Sequence, residues 1–316
     1  ACAGYHPPEC NSGLWLGCAL GALAIAGHDK LTFVVDDPIS SFGIWAEQLV
    51  AESTGKLGKG VLPVADEPVG APGSYGEDRI FDYMRDTDSP SEQLDEAIKA
   101  LADADESTVT VSAGGPEDLG RIFFFAEFAT AVAGWALGIN PFDQPNVQEA
   151  KDATARVLDS IGEGGALIEP DDASDDELHE LLSAGPPAYV ALLAYVAPSE
   201  RVDRAVAELR AAIRDATSAT TTFGYGPRYL HSTGQFHKGG PKTGRFLVLV
   251  HDGPDDVAIP SRPFGFKTLK NAQALGDLET LRAHGLPAHK LRLDGDADPA
   301  AGIEALTARV RGLLAR

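Results

Sequence analysis

A glutamate near the end of an amphipathic segment is the first residue whose position suggests chemistry. Phe42, Trp45 and Leu49 predict the apolar face of a helix that Gly55 caps at its C-terminal end. With roughly 100° of rotation per residue, Glu52 falls on the rim of that face and in the last turn. Partial burial and the helix dipole both disfavour its charged form there. Such a carboxylate suits a general base that works near neutral pH.

Two amides and a lysine are the next candidates. Gln144 and Lys151 lie seven residues apart in the segment GINPFDQPNVQEAK, so a helix would turn both toward one cleft. A lysine can pass a proton to or from a ring oxygen, and an amide can hold a hydroxyl without charge. Gln48, one turn before Glu52, is a second amide of this kind. The residues alone leave open that both segments are ordinary helix ends with exposed side chains.

A third candidate is the loop 223–244, FGYGPRYLHSTGQFHKGGPKTG, the basic stretch of an acidic chain. Arg228 and Lys238 can donate charge-assisted hydrogen bonds to a phosphate, and His231 could carry a proton. The loop therefore predicts a binding site for an anion such as a phosphate. A structural loop whose histidines bond to backbone carbonyls is the alternative.

Taken together, these motifs resemble the glucose-6-phosphate isomerases. ESTGK at 52–56 is similar to their E-S-x-G-K, and FDQPNVQEAK at 142–151 is similar to F-D-Q-x-G-V-E-x-x-K with the same Gln-to-Lys spacing. DKLTF, KGVLPVADEP and FATAVAG flank these motifs in the family's order. The resemblance covers roughly residues 10–155. The loop 223–244 resembles the tail of the isomerases that are fused to a transaldolase.

The resemblance implies sugar-isomerase (SIS) domains and the reversible conversion of glucose 6-phosphate to fructose 6-phosphate through a cis-enediol, without cofactor or metal. It implies that Glu52 moves the proton between C2 and C1 and that Lys151 assists ring opening. The candidate site residues are Glu52 and Lys151 for catalysis, with Gln48, Gln144, Arg228 and His231 for substrate binding.

Three departures from the family pattern bear on these expectations. Asn146 stands where the family usually has glycine or alanine, and YGEDRIF places Asp78 or a nearby residue where many relatives have a catalytic histidine. The Ser/Thr-rich phosphate loop and the G-G-R segment of the family's first SIS domain have no counterpart here. We therefore expect a fragment that lacks the N-terminal phosphate-binding half of the isomerase. A transaldolase domain is the further candidate for the full-length protein.

Short apolar runs alternate with helical segments along the chain. This alternation predicts a doubly wound, parallel α/β sheet that positions the candidate residues. Strands are predicted at 31–35, 60–65, 80–84, 108–112, 189–196, 220–223, 246–250 and 288–293. Glycines at 162–165 and the acidic run 169–177 predict a solvated connector. We place the SIS domain in residues 1–160 and a second, smaller α/β domain in residues 161–316.

Charge and composition exclude several classes of function. The chain has 47 acidic and 26 basic residues, a net charge of -21, which disfavours nonspecific nucleic-acid binding. Its three cysteines have no metal-ligand spacing and are an odd number, so neither a metal site nor a disulfide framework is expected. The sequence shows no apolar run long enough for a bilayer. We expect a cytoplasmic protein with no membrane partner.

Two alternatives belong to other classes. A noncatalytic regulator built on the same domain would bind a sugar phosphate and would need no general base at Glu52. A transaldolase would need a Schiff-base lysine inside a barrel, which the order of predicted elements does not favour.

Overall fold

The computed structural model describes residues 7–143, 154–159, 167–253, 256–294 and 298–315. These residues form two compact units. The first contains the chain up to residue 143 together with 232–242, and the second contains the rest. Each unit holds a four-stranded parallel sheet, so the predicted α/β class is confirmed. A smaller second domain is expected from the sequence, yet the two sheets have equal numbers of strands. The boundary at residues 160 and 161 stays a prediction.

The first unit has the strand order β2-β1-β3-β4. Its strands are β1 (Lys30–Val35), β2 (Leu62–Val64), β3 (Arg79–Asp86) and β4 (Ser107–Ala113). Its helices are α1 (Ser12–Ile25), α2 (Ser41–Thr54), α3 (Glu92–Asp103) and α4 (Leu119–Leu137). The predicted strands are confirmed. Strands β1, β2 and β3 are almost completely buried, whereas β4, at the edge of the sheet, is only partly buried.

The direction of the chain decides where the helix ends lie. Helix α2 leaves β1 at the carboxyl ends of the strands and leads into β2, which runs parallel to β1. Its C-terminal end, with Glu52, therefore lies at the edge formed by the amino ends of the strands, here called the amino edge. Ligands of open α/β sheets usually bind outside the opposite, carboxyl edge. The candidate base is thus not in the usual crevice of its own sheet.

Aromatic packing fixes helices α2 and α4 against each other. The Trp45 and Phe123 rings lie 4.3 Å apart between centroids, and Phe42 lies 5.5 Å from Trp45. Phe42 and Trp45 thus share one face of α2, as its period predicts. The stretch Pro116–Leu137 is long and apolar enough to cross a membrane by length and composition, a span-length segment that the sequence analysis missed. The core helix of a soluble protein passes the same test, and α4 supplies core residues such as Ile122.

The second unit has the strand order β6-β5-β7-β8, the same arrangement as the first. Its strands are β5 (Tyr189–Tyr195), β6 (Thr220–Tyr225), β7 (Gly244–Val250) and β8 (Ala288–Arg292). Its helices include α5 (Asp175–Leu182), α6 (Glu200–Thr217), α8 (Phe266–Ala283) and α9 (Pro299–Leu314), and residues 154–159 are also helical. Helix α7 (Gly234–Gly239) comes between β6 and β7 in the chain but belongs to the first unit.

The acidic run 169–177 is largely exposed to solvent, as the sequence predicts, but it is more than a connector, because helix α5 begins within it. Ser174 and Glu177 form a capping box that starts helix α5, and Leu178 behind it is buried in the core. The Glu169 carboxylate lies 3.1 Å from the Lys290 ammonium on β8. The charges that look like a solvated run therefore serve partly as a helix cap and as partners for basic strand residues.

Candidate functional site

Glu52 lies in the last turn of α2 and is half-buried, which fits its predicted place on the rim of the apolar face. The turn that follows is closed by Thr54. Its hydroxyl donates to the Val50 carbonyl (2.8 Å) and accepts from the Val61 amide (3.0 Å). Because Thr54 is buried, these bonds hold the end of α2 against the start of the strand region. Gln48, one turn earlier, is exposed.

Two lysines join the ESTGK motif to the end of α4. The Lys56 ammonium donates to the Asn140 carbonyl (2.8 Å) and lies 3.0 Å from the Asp143 carboxylate. The Lys59 ammonium donates to the Leu137 carbonyl (2.8 Å). The last carbonyls of a helix lack partners within it and carry the negative end of its dipole, so cations are favoured there. Two motifs that lie more than 80 residues apart are thereby joined in one place.

The FDQPNVQEAK signature is described by the structure only up to Asp143. Gln144, Asn146 and Lys151 lie outside the described residues. What the structure shows is that the segment leading into them, Asn140–Asp143, ends beside Lys56. Sequence reasoning did not single out Lys56 or Lys59. The available signal was a pair of lysines three residues apart in a short, glycine-containing turn.

Lys56→Met is expected to lower the free energy of unfolding by about 1–3 kcal/mol, because it removes the charged hydrogen bond that the buried Lys56 ammonium makes to the Asn140 carbonyl. The change should be measured as a shift of the denaturant midpoint. Lys99→Met is the matched control, since the Lys99–Asp103 pair is exposed and such pairs contribute little. Equal midpoints for the two variants would contradict a joining role for Lys56.

The loop predicted from its basic residues reaches the ESTGK motif through helix α7. Gln235 donates from Nε2 to the Gly55 carbonyl (2.8 Å), and the Gly58 amide donates to the Gly239 carbonyl (2.9 Å). A Cβ atom added at Gly55 would lie only 2.3 Å from the Cα atom of Phe236. Glycine is needed at this position because the two backbones touch. Helix α7 is therefore packed directly on the turn that follows Glu52.

Two polar residues of α7 are buried. His237 is 1% exposed and Lys238 is 4% exposed. Burial, and to a smaller extent the charge of Lys238, lowers the pKa of His237 to about 3. His237 is thus neutral at neutral pH and adds no positive charge to the loop. Folding therefore lowers the positive charge of the loop 223–244 below what its sequence suggests, because His237 stays neutral.

Arg228 and His231 are exposed and lie at the two ends of a short 3-10 helix of the second unit. The residue between them that anchors the helix is Tyr229, which is buried. Its hydroxyl donates to the Asp277 carboxylate on α8 and lies 3.3 Å from the Tyr195 hydroxyl. Anchored backbone and exposed basic side chains suit a binding role, which stays a prediction.

Two buried carboxylates elsewhere in the first unit, Asp78 and Asp82, lie beside a lysine and among apolar core residues. Asp78 is 6% exposed and lies 3.6 Å from the Lys30 ammonium. Burial raises the pKa of Asp82 to about 7, but its side chain is 6% exposed and lines a small cavity among apolar residues of the core. A perturbed pKa is therefore not enough to mark a site here.

Metal ligands are not grouped in the part of the chain that the structure covers. No cluster of three or more His, Cys, Asp or Glu side chains in these residues could hold a metal ion. Cys10 and Cys18 are present as thiols.

Fold and site together define a two-unit α/β protein whose candidate base lies at the amino edge of the first sheet. No protein-family model matches the chain. Among curated proteins, it is similar to the glucose-6-phosphate isomerase of Leptospira biflexa, with 29% identity over 175 residues that cover 43% of this chain and 38% of the relative. The enzyme of the same name from Clostridium perfringens is 30% identical over 157 residues, covering 38% and 35%.

The chain thus spans less than two fifths of the length of the curated relatives it matches. Among solved structures, a hypothetical protein from Thermus thermophilus aligns with 99% of this chain and 85% of its own, at 15% identity and a TM-score of 0.35. A TM-score of that size does not establish a shared overall fold.

Proposed function

We propose that the chain carries the general-base part of a sugar-phosphate isomerase that interconverts glucose 6-phosphate and fructose 6-phosphate. The observation that carries this proposal is the convergence at the amino edge of the first sheet. There Lys56 and Lys59 bind the segment that leads into the FDQ signature, and α7 packs on the turn after Glu52. The partial similarity to glucose-6-phosphate isomerases points to the same class.

In this proposal Glu52 removes the proton from C2 of the open-chain aldose and returns it to C1 of the cis-enediol. A half-buried carboxylate at the negative end of a helix dipole is a stronger base than an exposed one, which favours this step. Lys151 assists opening of the sugar ring, and Gln48 and Gln144 hold substrate hydroxyls. Both lysine and glutamine roles come from the resemblance of the motifs.

Phosphate binding is the part of the proposed site with the fewest candidate residues. A phosphate dianion needs several oriented donors, commonly backbone amides at a helix N-terminus with hydroxyls. Arg228 and His231 are proposed donors, and both are exposed. We further propose that the first unit is a SIS domain of a longer, cytoplasmic isomerase whose phosphate loop lies outside these 316 residues, in the branch fused to transaldolase.

The test compares the 316-residue chain with the complete gene product. We expect the chain alone to melt cooperatively, because each unit has its own core. Alone, it should convert little fructose 6-phosphate, whereas the complete product should interconvert the two sugar phosphates and incorporate solvent deuterium at C2. A dehydrogenase-coupled assay and NMR measure the two activities.

Two outcomes contradict parts of this proposal. A complete product that binds fructose 6-phosphate but exchanges no C2 proton would favour a noncatalytic sugar-phosphate regulator. Robust conversion by the 316-residue chain alone would show that the phosphate donors lie within it.

A further inference from the structure

Helix α4 of the first unit is apolar on both sides, although only one side faces the core. The inner side carries Ile122, Ala129 and Ala133, which are all buried. The outer side carries Phe124 and Trp135, which are both exposed. Only 28% of the apolar 18-residue window in this helix is buried. Because a helix that is apolar all round is normally covered on every side, the outer side of α4 calls for a partner.

The outer residues of α4 follow the spacing of a helix-packing seam. Four apolar residues lie four, three and four positions apart and form one stripe along the helix: Phe124, Phe128, Ala131 and Trp135. The Phe124 and Phe128 rings are stacked, with 6.5 Å between their centroids. The small Ala131 separates them from Trp135. Large side chains next to a small one can interdigitate with a facing helix.

The outer side of α1 extends this apolar surface. Trp15, Ala22 and Ile25 are exposed and lie within about 80° of one another around the helix. A Cβ atom added at Gly17 would lie 2.4 Å from the Ala129 carbonyl oxygen, so glycine lets α1 and α4 pack backbone to backbone. The outer sides of the two helices therefore form one continuous surface. We call it the α1–α4 face, and its main residues are Trp15, Ala22, Ile25, Phe124, Phe128 and Trp135.

The α1–α4 face is large enough for a stable protein interface. Its four largest exposed side chains, those of Trp15, Ile25, Phe124 and Trp135, are 57–76% exposed. Since a large aromatic residue can bury about 150–250 Å², these four side chains present on the order of 500 Å². A standard interface removes about 800 Å² from each partner. The face thus supplies most of the area that a dimer needs, and apolar patches of this size mark interaction sites.

The distribution of charge favours a second copy of the chain as the occupant. Two chains with a net charge of -21 repel one another over most of their surface. Helix α1 has no charged residue, and α4 has only Arg121 and Glu127, whose charges are opposite. Two copies can therefore approach through this face without like-charge repulsion. A basic partner protein would instead be attracted to the acidic remainder of the surface.

A membrane surface fits the same face less well. Helices that lie on membranes carry several lysines and arginines beside their apolar side, which bind anionic lipids. Helices α1 and α4 have one arginine between them, Arg121, and it is paired with Asp118. An anionic leaflet would also repel a chain of this net charge.

From the spacing, area and charge of these residues, we propose that the α1–α4 face is the interface of a homodimer. The same patch of both copies is in contact, so the assembly closes with two-fold symmetry. Helices α1 and α4 of the two chains then form a four-helix layer. This inference is independent of the proposed isomerase function, because no residue of the face is assigned to that reaction.

Analytical ultracentrifugation of the 316-residue chain tests the interface. At about 20 μM, the unmodified chain should sediment as a dimer, with twice the 33.2 kDa mass of one chain. Trp135→Glu places a carboxylate in the apolar interface from both copies, so it should raise the dimer dissociation constant at least about 100-fold. Phe124→Glu, on the same stripe, should act in the same direction.

Ile168→Glu is the matched control. Ile168 is also a large, exposed apolar residue, but it belongs to the second unit, so its replacement should leave the dissociation constant unchanged. Thermal melting of each variant verifies that it is folded. Cosedimentation with vesicles of phosphatidylcholine and phosphatidylglycerol measures lipid binding, which we expect to be absent.

Any of four results overturns the proposal. The first is an unmodified chain that is still monomeric at about 200 μM, far above the dissociation constants of stable interfaces. The second is an equal effect of Trp135→Glu and Ile168→Glu on the dissociation constant. The third is vesicle binding that Trp135→Glu abolishes, which would assign the face to a membrane. The fourth is a monomeric complete gene product, which would mean that another part of that product covers the face.

Discussion

Glu52→Gln in the complete gene product is expected to lower kcat for the interconversion of fructose 6-phosphate and glucose 6-phosphate by at least about 10²-fold, with KM nearly unchanged. Glutamine has nearly the same shape as glutamate but cannot accept the C2 proton. The half-buried position of Glu52 in the last turn of α2 is retained, so the helix should not be disturbed. NMR measurement of C2 deuterium exchange isolates the proton-transfer step.

The matched control is Glu96→Gln, which changes an exposed glutamate on α3 and should leave kcat unchanged. Near-wild-type C2 exchange in Glu52→Gln would remove Glu52 from the role of base. A large rise in KM with an unchanged kcat would instead assign Glu52 to substrate binding.

Gly55→Ala is expected to separate helix α7 from the turn after Glu52. The added methyl group would meet the Phe236 backbone at 2.3 Å, and backbone atoms cannot move aside as a flexible side chain can. Overpacking of this kind costs about 1–3 kcal/mol, to be measured as a shift in the denaturant midpoint of the 316-residue chain. If Glu52 is the base, its displacement should also lower kcat of the complete product by about 10²-fold.

Gly73→Ala is the control for this variant, because a Cβ atom at Gly73 would have no neighbour within 4 Å. Its midpoint should stay within about 0.5 kcal/mol of the original, as for most surface changes. If the Gly55→Ala chain is as stable as the Gly73→Ala chain, helix α7 does not pack tightly against the turn at Gly55. The stability result stands whether or not the protein proves to be an isomerase.

The sequence by itself determined the kind of each main element and the face of α2. The apolar runs at 31–35 and 189–196 predicted buried strands, and the period of Phe42 and Trp45 predicted the side of α2 that packs on α4. These features depend on neighbours within a few residues, through side-chain period, β-branching and helix caps. The isomerase-like motifs were also visible, since they are contiguous strings of residues.

Only the tertiary structure decided which distant segments meet. Nothing local to Lys56 shows that its ammonium bonds to Asn140, and nothing local to Gly55 shows that Phe236 packs against it. The acidic stretch at 169–177 is exposed as predicted, but only the tertiary structure shows that Glu169 has a partner on β8. A cavity lined by Tyr195 and His251, at the carboxyl ends of β5 and β7, depends on the order of strands in the sheet. Contacts of this kind depend on how the whole chain packs, and hydrophobic period within one segment carries no information about them.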